Sequence, residues 1–147
     1  MSNITQNKYR PFTFNFYVAT IEEGLSCLAE IIETIEELND KLKEMKATNS
    51  YQVATGREFS KEDISKMNKK VDKIVMKIIN NIVDMENTYT ILALAYESAL
   101  NVVKVGGNDE DVQYFIGLKE RIIKAKDVVE SITPLKSTLL SLINKKD

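Results

Sequence analysis

The sequence predicts an all-α protein, an up-and-down bundle of four to five helices with an extended N-terminal arm. Apolar residues recur at three- and four-residue spacings from residue 20 almost to the end of the chain, as amphipathic helices require. An aromatic alternation near the N-terminus has a period of two instead, which is typical of a strand. With 147 residues, of which 44% are apolar, one core is expected. We therefore predict a single domain, with an arm over residues 1–19 and a helical bundle over residues 20–147.

The predicted arm carries an aromatic residue at every second position. These residues are Phe12, Phe14 and Phe16, and Tyr17 follows directly. A period of two places the three rings on one side of an extended strand, which then needs a hydrogen-bonding neighbour. Within the chain, the segment 51–55 is the strand-like mate. The arm is expected either to form a two-stranded clasp with that segment or to exchange with a second chain.

The first bundle helix is predicted over residues 20–47. It should end in a loop over residues 48–57, where Asn, Ser and Gly interrupt the pattern. Its apolar side is formed by Ile21, Leu25, Leu28, Ile31, Ile32, Ile35, Leu38, Leu42 and Met45.

The second helical segment begins at a capping-box pattern, in which Ser60 is followed three residues later by Asp63. The apolar spacing continues to the double glycine at positions 106 and 107. We expect a break or bend near Thr88, a usable cap, because charged residues become sparse from that point. The predicted apolar side comprises Ile64, Met67, Val71, Ile74, Ile78, Ile82, Met85, Tyr89, Leu92, Tyr96, Leu100 and Val103.

The last third of the chain is predicted to hold one helix from about Asp109 and a short final one from Pro134 to residue 144. Thr133 and Pro134 have the arrangement of an N-cap followed by the first helical residue. The expected buried side of the longer helix comprises Val112, Phe115, Ile116, Ile122, Ile123, Val128, Val129 and Ile132.

The sequence lacks the residues on which several common kinds of catalytic and metal site depend. The chain has no histidine and one cysteine, Cys27, and it contains no glycine-rich phosphate-binding motif. We therefore expect no enzymatic activity, no cofactor and no metal site. Cys27 is predicted to be a small buried residue of the first helix, and the single cysteine suggests a cytoplasmic location. The apolar stretch 88–103 is 16 residues long and contains Glu97, so no membrane span is expected.

Two stripes of opposite charge follow helical spacing. The acidic stripe lies on the first helix and the basic stripe on the second. They could face each other across a helix pair, be solvated, or dock an oppositely charged partner. A nucleic-acid partner is disfavoured, because the basic stripe has no arginine and no interleaved aromatic residue. The acidic stripe comprises Glu30, Glu33, Glu37, Asp40 and Glu44, and the basic stripe comprises Lys66, Lys70, Lys73 and Lys77.

The expected function is a small protein–protein interaction module, such as an inhibitor, an immunity-type protein or an adaptor, that binds and occludes a partner protein. The alternative is a self-associating structural or assembly subunit, bacterial or phage, that uses helix 88–103 and the N-terminal arm. A ligand-binding bundle around Tyr89, Tyr96 and Glu97 is a third hypothesis. The candidate contact residues are the arm aromatics and the two charged stripes.

Overall fold

In a computed structural model, the described part of the chain forms three long helices. The structure describes residues 2–56, 59–106 and 109–144, with side-chain surroundings for residues 15–52, 54–56, 59–102, 110 and 112–143. The helices are α1 (Ser2–Ala54), α2 (Lys61–Gly106) and α3 (Asp109–Asn144), and these described ranges contain no strand. The predicted all-α class is confirmed. The prediction of four to five helices is wrong, because the boundaries predicted near Thr88 and at Pro134 lie inside continuous helices.

The predicted extended arm is helical. α1 runs without interruption from Ser2 to Ala54, so residues 2–19 of the predicted arm are part of this helix and do not form a strand. Residues 51–54, the predicted strand partner, also belong to α1. The two-stranded clasp is therefore wrong. Helix propagation explains the difference, since each residue added to an existing helix gains a hydrogen bond without a new nucleation step. The side chains of Phe12 and Phe14 lie outside the described residues.

The connection between α1 and α2 is shorter than the predicted loop. α1 continues to Ala54 and ends at a turn in which the Thr55 N–H donates to the Tyr51 carbonyl at 3.0 Å. Gly56 follows with a φ of 76°, the left-handed conformation that commonly terminates helices. Asn and Ser in residues 48–50 were thus insufficient to stop the helix without glycine.

The predicted capping box at the start of α2 is confirmed. The Asp63 N–H donates to the Ser60 hydroxyl at 3.1 Å, and the Ser60 N–H donates to the Asp63 carboxylate at 3.3 Å. These two hydrogen bonds satisfy N–H groups that have no partner within the first turn of the helix.

Two predicted helix boundaries do not occur. α2 passes through Thr88 without a break, and α3 passes through Pro134. A cap residue alone does not end a helix when no glycine or proline accompanies it and the apolar spacing continues. In α3 the packing of both flanking segments overrides the missing N–H of proline, which ordinarily weakens a helix interior.

The chain divides into two compact units, and every helix contributes to both. Unit 1 consists of α1 up to Glu30 together with Met85–Ser131, and unit 2 consists of Ile31–Asp84 together with α3 from Ile132. The buried apolar residues of unit 1 are Ile21, Leu25, Leu28, Met85, Leu92, Ala95, Ala99, Phe115, Leu118, Ile122 and Val129. Those of unit 2 are Ile35, Leu42, Ile74, Val75, Ile78, Ile79, Ile82 and Leu139.

Close helix packing in unit 1 depends on Gly24. A Cβ atom built on Gly24 would lie 2.9 Å from the Leu92 Cβ, closer than two such carbons normally approach. The absent side chain therefore lets α1 and α2 approach closely. α3 is joined to this pair by a hydrogen bond from the Tyr114 hydroxyl to the Glu22 carboxylate and by the Tyr96 and Phe115 rings, whose centroids are 5.0 Å apart.

Burial agrees with the predicted apolar sides in part. On α1 the strongest predicted positions are buried, but Cys27 is exposed, so its prediction as a buried residue is wrong. Ile64 at the start of α2 is also exposed. α3 has apolar residues on more than one side, and packing buries Phe115, Leu118 and Ile122 while four predicted core residues remain exposed. These four are Val112, Ile116, Ile123 and Val128.

Candidate functional site

Four acidic side chains of α1 lie on a solvent-exposed face of unit 2. Glu33, Glu37, Asp40 and Glu44, here called the outer carboxylates, are all exposed. At 100° per residue, they lie on the side of the helix opposite Leu42, which is buried. Glu30, the remaining member of the acidic stripe, is exposed and belongs to unit 1.

The basic stripe of α2 is also fully exposed, and most of it borders a shallow concavity of about 260 Å³. α1 contributes Lys41 to the rim and Met45 to the lining, while Ile74 of α2 adds a second apolar group. The term basic edge is used below for the four lysines of this concavity, which are Lys41, Lys70, Lys73 and Lys77.

The outer carboxylates do not pair with the basic stripe inside the described chain. No salt bridge joins the outer carboxylates to the basic stripe in the described residues. The α1 residue beside the basic stripe is Lys41, a like charge. The first of the three interpretations, stripes facing each other across a helix pair, is therefore not what unit 2 shows.

Further lysines extend the positive charge towards the start of α2. Lys61, Lys66 and Lys69 border a second shallow concavity of about 310 Å³, together with Glu62 and Ser65. A larger recess of about 590 Å³ adjoins the turn between α1 and α2. It is lined by Asn49, Ser50, Ala54, Phe59, Ile64, Met67 and Asn68.

Unit 1 presents an apolar face on α2. Ile91 is 60% exposed and Leu94 is 58% exposed, whereas the neighbouring Leu92 and Ala95 are buried. Glu97, the acid within this apolar stretch, is exposed as well. Two large apolar side chains, Ile91 and Leu94, therefore lie on the solvent side of α2 in the same stretch as the exposed Glu97.

The described aromatic residues of the predicted arm belong to unit 1 and are not part of the basic edge. Phe16 is 61% exposed, and its ring meets that of Tyr17 edge to face at a centroid distance of 5.8 Å. Tyr17 is half-buried.

The third hypothesis concerned Tyr89, Tyr96 and Glu97. Burial raises the pKa of Tyr96 above its ordinary value, and its ring packs on Phe115. Tyr89 is half-buried, and Glu97 is directed to solvent. The three side chains therefore span the boundary between the core and the surface.

Lys41 is the residue of the basic edge that the charge pattern of single helices missed. Lys41 lies in a helix that has more acidic residues than lysines. The pattern of that helix alone therefore does not indicate that Lys41 belongs to a basic surface. An antiparallel alignment of residues 31–54 with residues 61–84 would have placed it near the basic stripe.

Among the described side chains, no group of three or more acids or cysteines is arranged to hold a metal ion. None of the described helices is long and apolar enough to cross a membrane. Comparison with protein-family models, curated proteins and solved structures found no significant match.

Proposed function

We propose that this chain is a small non-enzymatic protein–protein interaction module, of the inhibitor, immunity-type or adaptor kind, whose basic edge docks and occludes an acidic surface of a partner protein. The observation that carries the proposal is the convergence of four exposed lysines from two helices around Met45 and Ile74. Charge of one sign at a shallow apolar concavity suits recognition of an oppositely charged protein surface.

The magnitudes assign different roles to the charged and apolar groups. An exposed ion pair contributes only about 0.2–1 kcal/mol, so four lysines mainly steer and orient the partner. Apolar contact with the half-buried Met45 would add affinity once the partner is bound. The proposed docking is therefore sensitive to salt in its association rate.

Charge reversal on the basic edge tests this proposal. The triple variant Lys70→Glu, Lys73→Glu, Lys77→Glu is compared with Lys119→Glu, Arg121→Glu, Lys124→Glu, which makes the same charge change at exposed positions of α3. Each variant and the wild-type protein are used as bait for affinity capture from the organism that produces the chain.

We expect the wild-type and α3-variant baits to retain a shared partner that the α2 variant loses. Circular dichroism should show that all three proteins keep the same helix content and melting temperature, since the reversed side chains are exposed. Equal capture of the partner by all three folded proteins would contradict docking at the basic edge.

A second candidate function, a self-associating structural subunit of bacterial or phage origin, is favoured by the exposure of Ile91 and Leu94. An apolar helix face in contact with water is a usual site of subunit contact. If this face associates, Leu94→Lys should lower the mass found by light scattering at micromolar concentration, and the same change at exposed Met76 should not. A wild-type mass equal to one chain would exclude this candidate.

The cytoplasmic location belongs to the same proposal and rests on the single cysteine. Cys27 is exposed, and an accessible thiol is open to oxidation. A reducing compartment such as the cytoplasm would keep this thiol reduced.

A further inference from the structure

We infer that the basic stripe and Lys41 receive the outer carboxylates of a second copy of this chain. The inference rests on the proposed function, because it uses the same basic edge, and it names a second copy as the acidic partner. It differs from association through Ile91 and Leu94, because the contact is electrostatic and lies in unit 2.

The two sets of charges have the same spacing. From Glu33 to Glu44 the outer carboxylates step by four, three and four residues, and from Lys66 to Lys77 the basic stripe also steps by four, three and four. At a rise of about 1.5 Å per residue, each set spans roughly 16 Å. Because the spacing reads the same in both directions, parallel and antiparallel helices can both place four carboxylates opposite four ammonium groups.

All eight charged side chains are accessible for such a contact. Each is exposed, and no salt bridge connects the two sets within the described chain. Within one copy the outer carboxylates lie on the side of α1 opposite its buried residues, whereas Lys41 borders the basic stripe. The complementary charges are therefore left to be matched between copies.

The contact joins two different patches, so it is head-to-tail. Each added copy leaves one set of carboxylates and one set of lysines free at the ends, and the series continues unless it closes into a ring. Helix faces of this length bury little surface, which places the contact among weak and reversible interfaces. Association should therefore depend on concentration and become weaker as salt is added.

Charge-swap complementation tests the inference. One variant carries Lys66→Glu, Lys70→Glu, Lys73→Glu and Lys77→Glu, and the other carries Glu33→Lys, Glu37→Lys, Asp40→Lys and Glu44→Lys. Each full-length variant, an equimolar mixture of both, and the wild-type protein are examined by sedimentation velocity at low salt and at about 0.5 M salt, where screening is short-ranged.

We expect wild-type protein to sediment as a concentration-dependent series at low salt, with its association constant at least about tenfold lower at high salt. Each variant alone should be monomeric, because it presents like charges on both patches. The mixture should associate again at low salt. A monomeric wild-type protein at low salt, or a mixture that remains monomeric beside an associating wild-type protein, would overturn the inference.

Smaller changes preserve the test if a quadruple variant does not fold. Lys73→Glu and Asp40→Lys each alter one central charge, and helix content by circular dichroism identifies the folded samples. A several-fold weaker association of each single variant, with partial recovery in their mixture, supports the contact, and unchanged association overturns it.

Failure of this inference is distinct from failure of the proposed function. A monomeric wild-type protein whose basic edge still captures another acidic protein overturns the second-copy contact alone. Association that Leu94→Lys abolishes and the charge swaps leave intact assigns self-association to unit 1, which also overturns it. Equal partner capture by wild-type protein and the triple α2 variant overturns the proposed function.

Discussion

Gly24 lies where α1 and α2 pack closely in unit 1. Among the glycines described, it is the one at which an added Cβ would clash with another helix. The clash that a methyl group would make is with the Leu92 Cβ, which is fixed to the backbone and cannot rotate away. A side chain at position 24 could therefore be accommodated only by movement of a whole helix, because no rotation of the Leu92 side chain would make room for it.

Gly24→Ala should destabilise the protein although alanine is the better helix former. Overpacking lowers the free energy of unfolding by about 1–3 kcal/mol, while replacing a helical glycine with alanine raises it by about 0.5–1 kcal/mol. We expect a net loss of roughly 0.5–2 kcal/mol in the free energy of unfolding, measured by urea denaturation.

Gly117→Ala is the matched control, because no atom beyond the adjacent residues and backbone of α3 lies within 4 Å of a Cβ built at Gly117. It should stabilise the protein by about 0.5–1 kcal/mol, through helix propensity alone. Equal effects of the two substitutions would contradict the close approach at Gly24.

Tyr96 makes the stability of unit 1 sensitive to alkaline pH. Burial raises its pKa, so the folded protein holds the phenolic proton more tightly than the unfolded chain does. This contribution is fully present below the unfolded value near 10, and it is lost as pH rises through the higher folded value.

Tyr96→Phe should therefore reduce the loss of melting temperature between about pH 9 and pH 11, relative to the wild-type protein. Tyr51→Phe, at a position that is 71% exposed, controls for the loss of a hydroxyl. An equally steep decline in the Tyr96→Phe variant would show that Tyr96 does not account for the alkaline transition.

At the scale of the element, α3 remains continuous although it contains a proline in its interior. Pro134 removes one backbone N–H from the ladder and disfavours the helix by about 3 kcal/mol relative to alanine. Residues on both sides remain helical because unit 1 buries Val129 and unit 2 buries Leu139.

Pro134→Ala should raise the free energy of unfolding by about 1–3 kcal/mol, since the exposed site accepts alanine without repacking. Pro134→Gly should give a smaller gain, because glycine is a weak helix former. Urea denaturation of the three proteins measures both effects. A lower stability of Pro134→Ala than of the wild-type protein would mean that the proline has a packing role.

Helix boundaries show how far local sequence signals are predictive here. The start of α2 was predictable because Ser60 and Asp63 act through contacts within one turn. The continuity at Thr88 and Pro134 was not, because it depends on packing between helices distant in sequence. The alternating Phe residues indicated a strand, but no strand partner exists in the described chain, and helix propagation decided the outcome.

At the scale of the whole molecule, the charged residues were identifiable from the sequence, whereas their arrangement was not. Spacing alone predicted one charged stripe on each of the first two helices, and it left open whether the stripes face each other, are solvated or dock a partner. The position of Lys41 beside Lys70, Lys73 and Lys77 required the alignment of α1 with α2, which no single-helix pattern contains. Exposure of Ile116 and Ile123 was likewise settled by which side of α3 meets its neighbours.

The separation of the outer carboxylates from the basic edge also has a chromatographic consequence. With a pI near 5.4 and a formal net charge of -2, the chain would ordinarily bind an anion exchanger and pass through a cation exchanger at pH 7. A resin, however, contacts one side of a protein at a time. The protein should therefore be retained on both resins at low salt, and the triple α2 variant should lose retention on the cation exchanger alone.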